Sequence, residues 1–202
     1  MKKIILIGTG GHSKSCIDVI EQQDKYKIIG IVDKNKTKKK KFVNYPMLGM
    51  DKDLKKIKKK CSNAFIAIGQ IKNLFLRENL FKNLILLGFD LPIIFSPYSY
   101  VSKKVKIKRG SIVMHKALIN SYADVGLNCI INSRSLIEHG VKIGNHTHIS
   151  TGAILNGDCK IGNNSFIGSG TIIKEGVRIG NCCIVGMGQV IKRDIKDNQI
   201  VT

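Results

Sequence analysis

Residues 131–179 read INSRSLIEHGVKIGNHTHISTGAILNGDCKIGNNSFIGSGTIIKEGVRI, and an aliphatic residue returns in them at every sixth position: Ile131, Ile137, Ile143, Ile149, Leu155, Ile161, Ile167, Ile173 and Ile179. The phase runs on without a slip on both sides, from Val101 through Ile107, Val113, Ile119 and Val125, and beyond to Val185 and Ile191, which makes sixteen hexads between Val101 and Lys196. Four residues after each aliphatic the chain mostly places a compact side chain, as at Ala117, Ala123, Cys129, Ser135, Thr147, Ala153, Cys159, Ser165, Thr171 and Cys183. Gly, Asn and charged residues are common between them. A period of six matches neither an α-helix nor a heptad, and the glycine and asparagine content opposes a helix as well. A fixed short period with a two-position rule reads as a parallel β-helix. Each hexad supplies one short strand and one corner. Three hexads close a triangular coil of about 18 residues around a narrow prism, so the repeat predicts about five coils, each covering the next.

Ahead of the repeat the 202-residue chain keeps about 100 residues, enough for a second small core. KIILIGTGGHSKSCIDVIEQQ, from Lys3, reads as a buried strand to Ile7, a turn with Gly8, Gly10 and Gly11, and a helix carrying Cys16, Ile17, Val19 and Ile20. KIIGIVD is a second strand ending in Asp33. Strand, glycine turn, helix and strand, with an acid some 20 residues on, is the shape of a nucleotide-binding βαβ unit in which helix N-terminal amides face a phosphate. The glycines are spaced G-x-G-G-H, and Ser13 stands where a dinucleotide fingerprint has its third glycine. A shorter nucleotide is therefore expected, a ligand-free tight turn being the alternative. NYPMLGMDKDLKKI reads as an exposed connection and short helix, AFIAIG as a third strand ending at Gly69, and NLFLRENLFKNLILLG as an amphipathic helix stopped by Gly88. LPIIFS then delivers the chain to the first coil. Alternating β and α segments predict a small open parallel sheet covered by helices, with domains at 1–97 and 98–202.

The net charge of +20 comes mostly from lysine, in KNKTKKKK (34–41) and KKIKKK (55–60), against five arginines in all. Runs of this kind without interleaved aromatics are solvated faces and argue against a nucleic-acid partner, while the field they make attracts phosphorylated small molecules. No apolar run approaches the roughly 18 to 20 residues that cross a bilayer, and the apolar part of MKKIILIGTGG is too short for a signal peptide. A soluble, cytoplasmic protein with no membrane partner is expected. Cys129, Cys159 and Cys183 fall in the small inward slot of the repeat, where cysteine acts as a compact hydrophobe, and all six cysteines read as reduced thiols with no metal-ligand spacing.

The chain resembles the hexapeptide-repeat sugar acetyltransferases of the sialic acid O-acetyltransferase family, and within it the bacterial N-acetyltransferases of UDP-linked 4-amino-sugars. The motifs that carry the resemblance are IILIGTGGHSK at the start, YPMLG at Tyr45–Gly49, FIAIG at Phe65–Gly69, and SLIEHGVKIGNHTHIS with the coils after it. It implies a Rossmann-like N-terminal domain joined to a left-handed parallel β-helix, acetyl-CoA as co-substrate without a metal, and a homotrimer with the acyl site between neighbours. The implied reaction is N-acetylation of a nucleotide-linked amino-sugar in glycan synthesis. O-acetylation of a sialic-acid-like sugar and an inactive scaffold are the alternatives.

By the same resemblance the histidine of the IEH segment, His139, is the catalytic base. The repeat phase agrees: His139 stands two places after inward Ile137, so it faces outward at a coil edge, and Gly157 lies one coil later. The missing side chain at Gly157 is expected to leave a notch for the thioester and pantetheine arm. His115 and His146 are expected as ordinary exposed histidines. Asn132 matches a polar residue of the acceptor site and His148 a second histidine close to the acetyl group; Gly168, Gly186 and Met187 fall where relatives line the CoA channel. Gly8, Gly10, Gly11 and His12 match the turn that holds the diphosphate, Asp33 and Lys34 the segment that meets base or ribose, and Gly69 completes the substrate-binding set. Relatives commonly follow the base with an acid; here Gly140 follows, so Glu138 or a group from another subunit is expected to orient His139.

Overall fold

The computed structural model describes residues 1–34, 40–71 and 73–202, and part of the first lysine run, 35–39, lies outside the described residues. Strands β1 (Lys2–Ile7), β2 (Tyr26–Val32), β3 (Lys41–Phe42), β4 (Tyr45–Gly49) and β5 (Asn63–Ile66) form one sheet in the order β3-β4-β2-β1-β5. All neighbours are parallel except the β3–β4 hairpin. Helices α1 (Gly11–Gln23), α2 (Leu54–Lys58) and α3 (Leu76–Leu86) cover it. β1 is buried on both sides, as a central parallel strand must be. Its Ile5 and Ile7 meet Leu54, Leu80 and Leu84 of α2 and α3, while Ile4 and Leu6 meet Cys16, Ile17 and Ile20 of α1. The YPMLG segment, expected as an exposed connection, is strand β4. It hydrogen-bonds the otherwise open edge of β2, pairing Met47 with Ile31, and so covers polar backbone that an edge strand exposes.

The chain enters the second core at β6 (Ile94–Phe95), and from there two-residue strands follow one another around a triangular prism. Each strand pairs in parallel with the one 18 residues on, as Leu118 with Leu136 and Ile119 with Ile137. Three sheets of six, five and seven strands result. The aliphatics of the repeat from Val113 to Ile191 all point inward and are buried, together with Ala117, Ala123, Cys129, Ala153, Cys159 and Cys183. The coils run past the repeat at both ends: Ile94–Phe95 stacks on Ile112–Val113, and the last turn is shorter, so that Ile195 bridges Ile179 and Val201 pairs with Val185. One corner carries an amide ladder, in which Asn145, Asn163 and Asn181 each donate the backbone N–H to Oδ1 of Asn163, Asn181 and Asp197 respectively, all at 2.8 Å.

The outward residues divide the prism into three unlike faces. The first shows Tyr100, Leu118, Leu136, Ile154, Ile172 and Val190. The second shows Lys106, Asp124, Lys142, Lys160 and Arg178. The third, beginning with Ile94, Ile112, Ile130 and His148, carries the α/β domain: Ile94, Ile112 and Ile130 are fully buried in one cluster with Ile4, Cys16 and Ile17, so α1 lies between the sheet and the coil. The six cysteines are free thiols. Among the described residues no helix is long and apolar enough to cross a membrane, and no three metal-ligating side chains come together.

Candidate active site

The glycine turn after β1 opens a pocket of about 280 Å³ lined by Gly8, Thr9, Gly10, Asp33, Lys34 and Asp51 among others. Gly8 has φ +112°, and a Cβ there would approach Ile68 Cγ1 to 2.5 Å, so the turn requires glycine. A Cβ at Gly10 or Gly11 would meet nothing within 4 Å. The fold does not need glycine at those two positions, which lie at the N-terminus of α1 where bare amides face an anion best. Thr9 Oγ1 donates to Asp33 Oδ2 at 2.6 Å and fixes that carboxylate at the pocket wall. Across from it Asp51 Oδ1 is buried without a hydrogen-bond partner, and burial, then the nearby Asp33 charge, raise the Asp51 carboxyl above its ordinary range.

His12 leads from this pocket to the third face. Its ring centroid is 6.3 Å from that of His148, and its Nε2 is buried and unpartnered. His148 is only 4% exposed. Its Nδ1 lies 2.7 Å from the Gln70 carbonyl, which can only accept, so the proton sits on Nδ1 and Nε2 is left to accept from Asn132 Nδ2 at 3.3 Å. Burial, and beyond it the Arg77 charge, lower His148 to about 4 and His12 to about 3, so both are neutral imidazoles at neutral pH. Gly69 packs on His12, where a Cβ would make ordinary contact at 3.6 Å. Gln70 Nε2 donates to the His146 carbonyl at 2.6 Å. His146, expected on the surface, is instead buried, bonded to Asn128 Nδ2 at 3.0 Å and packed edge-on against Phe81. His115, likewise expected free, bridges Ser96 Oγ at 2.6 Å and Asp18 at 2.7 Å. Both corrections have one cause: the α/β domain lies over the corners that carry them.

His139 lies elsewhere, on the edge between the first and second faces, and is exposed. The notch expected at Gly157 is filled by the imidazole itself: a Cβ at Gly157 would stand 2.6 Å from Cε1 and 2.8 Å from Nε2 of His139. Glycine at 157 thus seats the ring against the next coil. Gly140 occupies a left-handed corner at φ +69°, and a side chain there would collide with the Asp158 carboxylate. Glu138 Oε2 accepts from Asn120 Nδ2 at 2.9 Å, which ties it to the preceding coil, and its only contact with the next residue is the His139 backbone N–H at 3.4 Å. Gly168 and Gly186 stack in successive coils on the opposite edge, the one after the third face, where a Cβ on Gly168 would strike the Gly186 backbone; Met187 beside them is 80% exposed.

The candidate residues therefore fall into two groups on opposite edges of the first face. His139, Glu138 and Gly157 form one. Asn132, His148, Gly168, Gly186 and Met187 form the other, which His12, next to the glycine turn, approaches through His148. Sequence reasoning missed Gln70, whose carbonyl holds His148, and Arg77 and Asn128, which bond each other and, through Asn128, His146; the position of Gln70 directly after FIAIG is the only signal for any of them.

A parallel β-helix of hexads with a histidine seated on its edge, joined to a glycine-turn α/β domain, defines a hexapeptide-repeat acyltransferase. Residues 158–193 match the bacterial transferase hexapeptide (six repeats), and residues 3–84 match the PglD N-terminal domain. The chain is similar to sugar acetyltransferases that combine these two parts. No curated protein sequence matches it. Among solved structures, a His-to-Asn variant of perosamine N-acetyltransferase from Caulobacter crescentus, in complex with CoA and GDP-perosamine, is 29% identical with a TM-score of 0.93, over 99% of this chain and 93% of that one. The acetyltransferase domain of PglB from Neisseria gonorrhoeae, in complex with acetyl coenzyme A, is 29% identical with a TM-score of 0.91, over 98% and 95%. WeeI from Acinetobacter baumannii shares the fold at 21% identity and a TM-score of 0.66, over 100% and 97%.

Proposed function

We propose that this protein transfers the acetyl group of acetyl-CoA to the amino group of a nucleotide-linked 4-amino-sugar, as a homotrimer whose sites lie between neighbouring prisms. The observation that carries the reading is the division of the site residues between two edges of one uncovered face. Threefold packing of the apolar first faces brings the His139 edge of each subunit against the His148 edge of its neighbour. The glycine turn with Asp33 and Lys34 takes the nucleoside diphosphate, and the sugar extends past His12 toward His148 and Asn132. The donor runs along Gly168, Gly186 and Met187 of the same subunit. UDP and GDP are the candidate nucleotides, the second because the Caulobacter relative binds a GDP-sugar. Acetyl-CoA as donor assigns the reaction to the cytoplasm.

His139 of the neighbour acts as general base. The amine nitrogen attacks the thioester carbonyl, His139 takes the proton that the nitrogen loses, and the collapsing adduct expels CoA thiolate, which is protonated as the amide forms. A backbone amide beside Gly157 is the candidate donor to the developing oxyanion. The test is a thiol-release assay with acetyl-CoA against GDP- and UDP-linked 4-amino-sugars. Turnover is expected with at least one of them, and His139→Ala is expected to lower kcat by about 10² to 10⁴ with the fold intact. Undiminished turnover by His139→Ala, or none by the wild type, overturns the reading.

A further inference from the structure

Arg77, in the first turn of α3, is 1% exposed and sits at the joint between the two cores. Nη1 donates to the carbonyls of Ile66 at 2.7 Å and Ile68 at 2.6 Å. Nη2 donates to Asn128 Oδ1 at 2.7 Å and to its carbonyl at 3.3 Å, and Nε is buried without a partner. Every acceptor is neutral, and among the described residues no carboxylate lies within ion-pair distance of it. A buried cation without a counter-ion is costly, and an apolar side chain of similar volume often serves packing better. The charge asks for a reason beyond the joint.

We propose that Arg77 is a positioning residue of acyl transfer: an unpaired buried cation that raises the potential of the acceptor half-site, so that the sugar amine binds there as the free base and not as the ammonium. The proposal rests on the reading of that half-site given above. It solves a proton problem, because an ammonium must lose one proton before it can attack and a second afterwards, whereas His139 is one base. The first proton goes to solvent on binding, the lone pair then attacks the thioester, and His139 receives the second.

The groups that face Arg77 leave its charge unanswered. From α1 come His12 and Cys16, and from the coils His146, His148 and Cys129. Burial lowers the three imidazoles, and Arg77 lowers each further; His146 is also pushed up by Glu78 and down by Lys82. Burial raises the two thiols, to about 12 for Cys16 and about 11 for Cys129, so neither is a thiolate at neutral pH. On α3 itself the Glu78 carboxylate is paired with Lys82 at 2.6 Å. Arg77 is lowered only to about 10 and keeps its charge.

The test is calorimetric binding of GDP-perosamine, and of a UDP-linked 4-amino-sugar, to the full chain with CoA in place of acetyl-CoA. It is run in two buffers of different ionisation enthalpy, about one unit below the free amine's pKa. The wild type is expected to release close to one proton per site. Arg77→Met is expected to lose most of that release and to move the acid limb of its kcat profile to higher pH by about one unit, the scale of a single charge interaction. Arg77→Lys, which keeps charge but not the hydrogen-bond pattern, is expected to release protons as the wild type does; a merely structural role would make both variants alike. Sugar binding without proton release by the wild type, or equal release by Arg77→Met, overturns the inference alone. If Arg77→Met does not fold, loss of the release in Arg77→Lys overturns it instead. Absence of any sugar binding refutes the functional reading, and the inference with it.

Discussion

On the first face of the prism the outward residue before each inward aliphatic is Tyr100, Leu118, Leu136, Ile154, Ile172 or Val190; on the second face, six residues later in each coil, it is Lys106, Asp124, Lys142, Lys160 or Arg178. Both faces pair every 18 residues and send the same kind of side chain inward. The inward rule specifies the coil, and it is blind to what the coil does. The outward ladders divide the labour: charge keeps the second face in water, while an aliphatic row exposed at 38% for Ile172 and 59% for Val190 asks for a partner. Because His139 and His148 flank that row on either side, assembly and chemistry are one question.

The first face is the more sensitive of the two. Ile154→Lys places a charge in the proposed interface, which is expected to dissociate the trimer and lower activity at least about 100-fold, since an unpaired buried charge has no compensation. Lys142→Glu on the second face is expected to leave both unchanged. Sedimentation with a thiol-release assay reads the two variants side by side, and a fully active monomer would detach assembly from function.

A smaller effect is expected at Gly157. Gly157→Ala puts a methyl group where the His139 ring now lies, which moves the imidazole and leaves the coil standing. A displaced catalytic group costs up to about 10²-fold, so kcat is expected to fall by about 10- to 100-fold with an unchanged melting temperature. An unaltered kcat would mean that the seat does not matter.

The smallest effect concerns the joint on the third face. His12 and His148 are held below their ordinary value of 6.5, to about 3 and about 4, first by burial. The unfolded chain therefore binds protons that the folded chain refuses. Their contribution to stability is complete above pH 6.5 and is lost as pH falls toward about 4. Melting temperatures measured from pH 7 to pH 4.5 are expected to decline, and less steeply in His148→Gln.

Much of the fold was legible because the repeat is one-dimensional: once the phase is set at Ile131, every inward residue from Val113 to Ile191 follows, and so does the placing of His139 one coil from Gly157. The glycine turn was legible because φ +112° at Gly8 demands a residue without Cβ. What failed depended on pairing across long separations. YPMLG needed the edge of β2 to become a strand. Arg77 reaches Asn128 across 51 residues, and Gln70 reaches His146 and His148 across 76 and 78. No period links these positions, so His146 read as a surface residue. Gly157 was located correctly and misread in use, because only the side-chain torsions of His139 decide whether the space above a glycine is empty or full.

A site built by two subunits can be rebuilt by mixing two defective ones. His139→Ala and His148→Ala homotrimers, each expected to be inactive alone, are dissociated, combined in equal amounts and reassembled. If each site takes its base from one subunit and its acceptor cleft from the next, random mixing regenerates about a quarter of the wild-type sites, and acetyl transfer returns to about that level. A mixture that stays as inactive as its parents contradicts the claim, because it places both histidines in the site of a single chain.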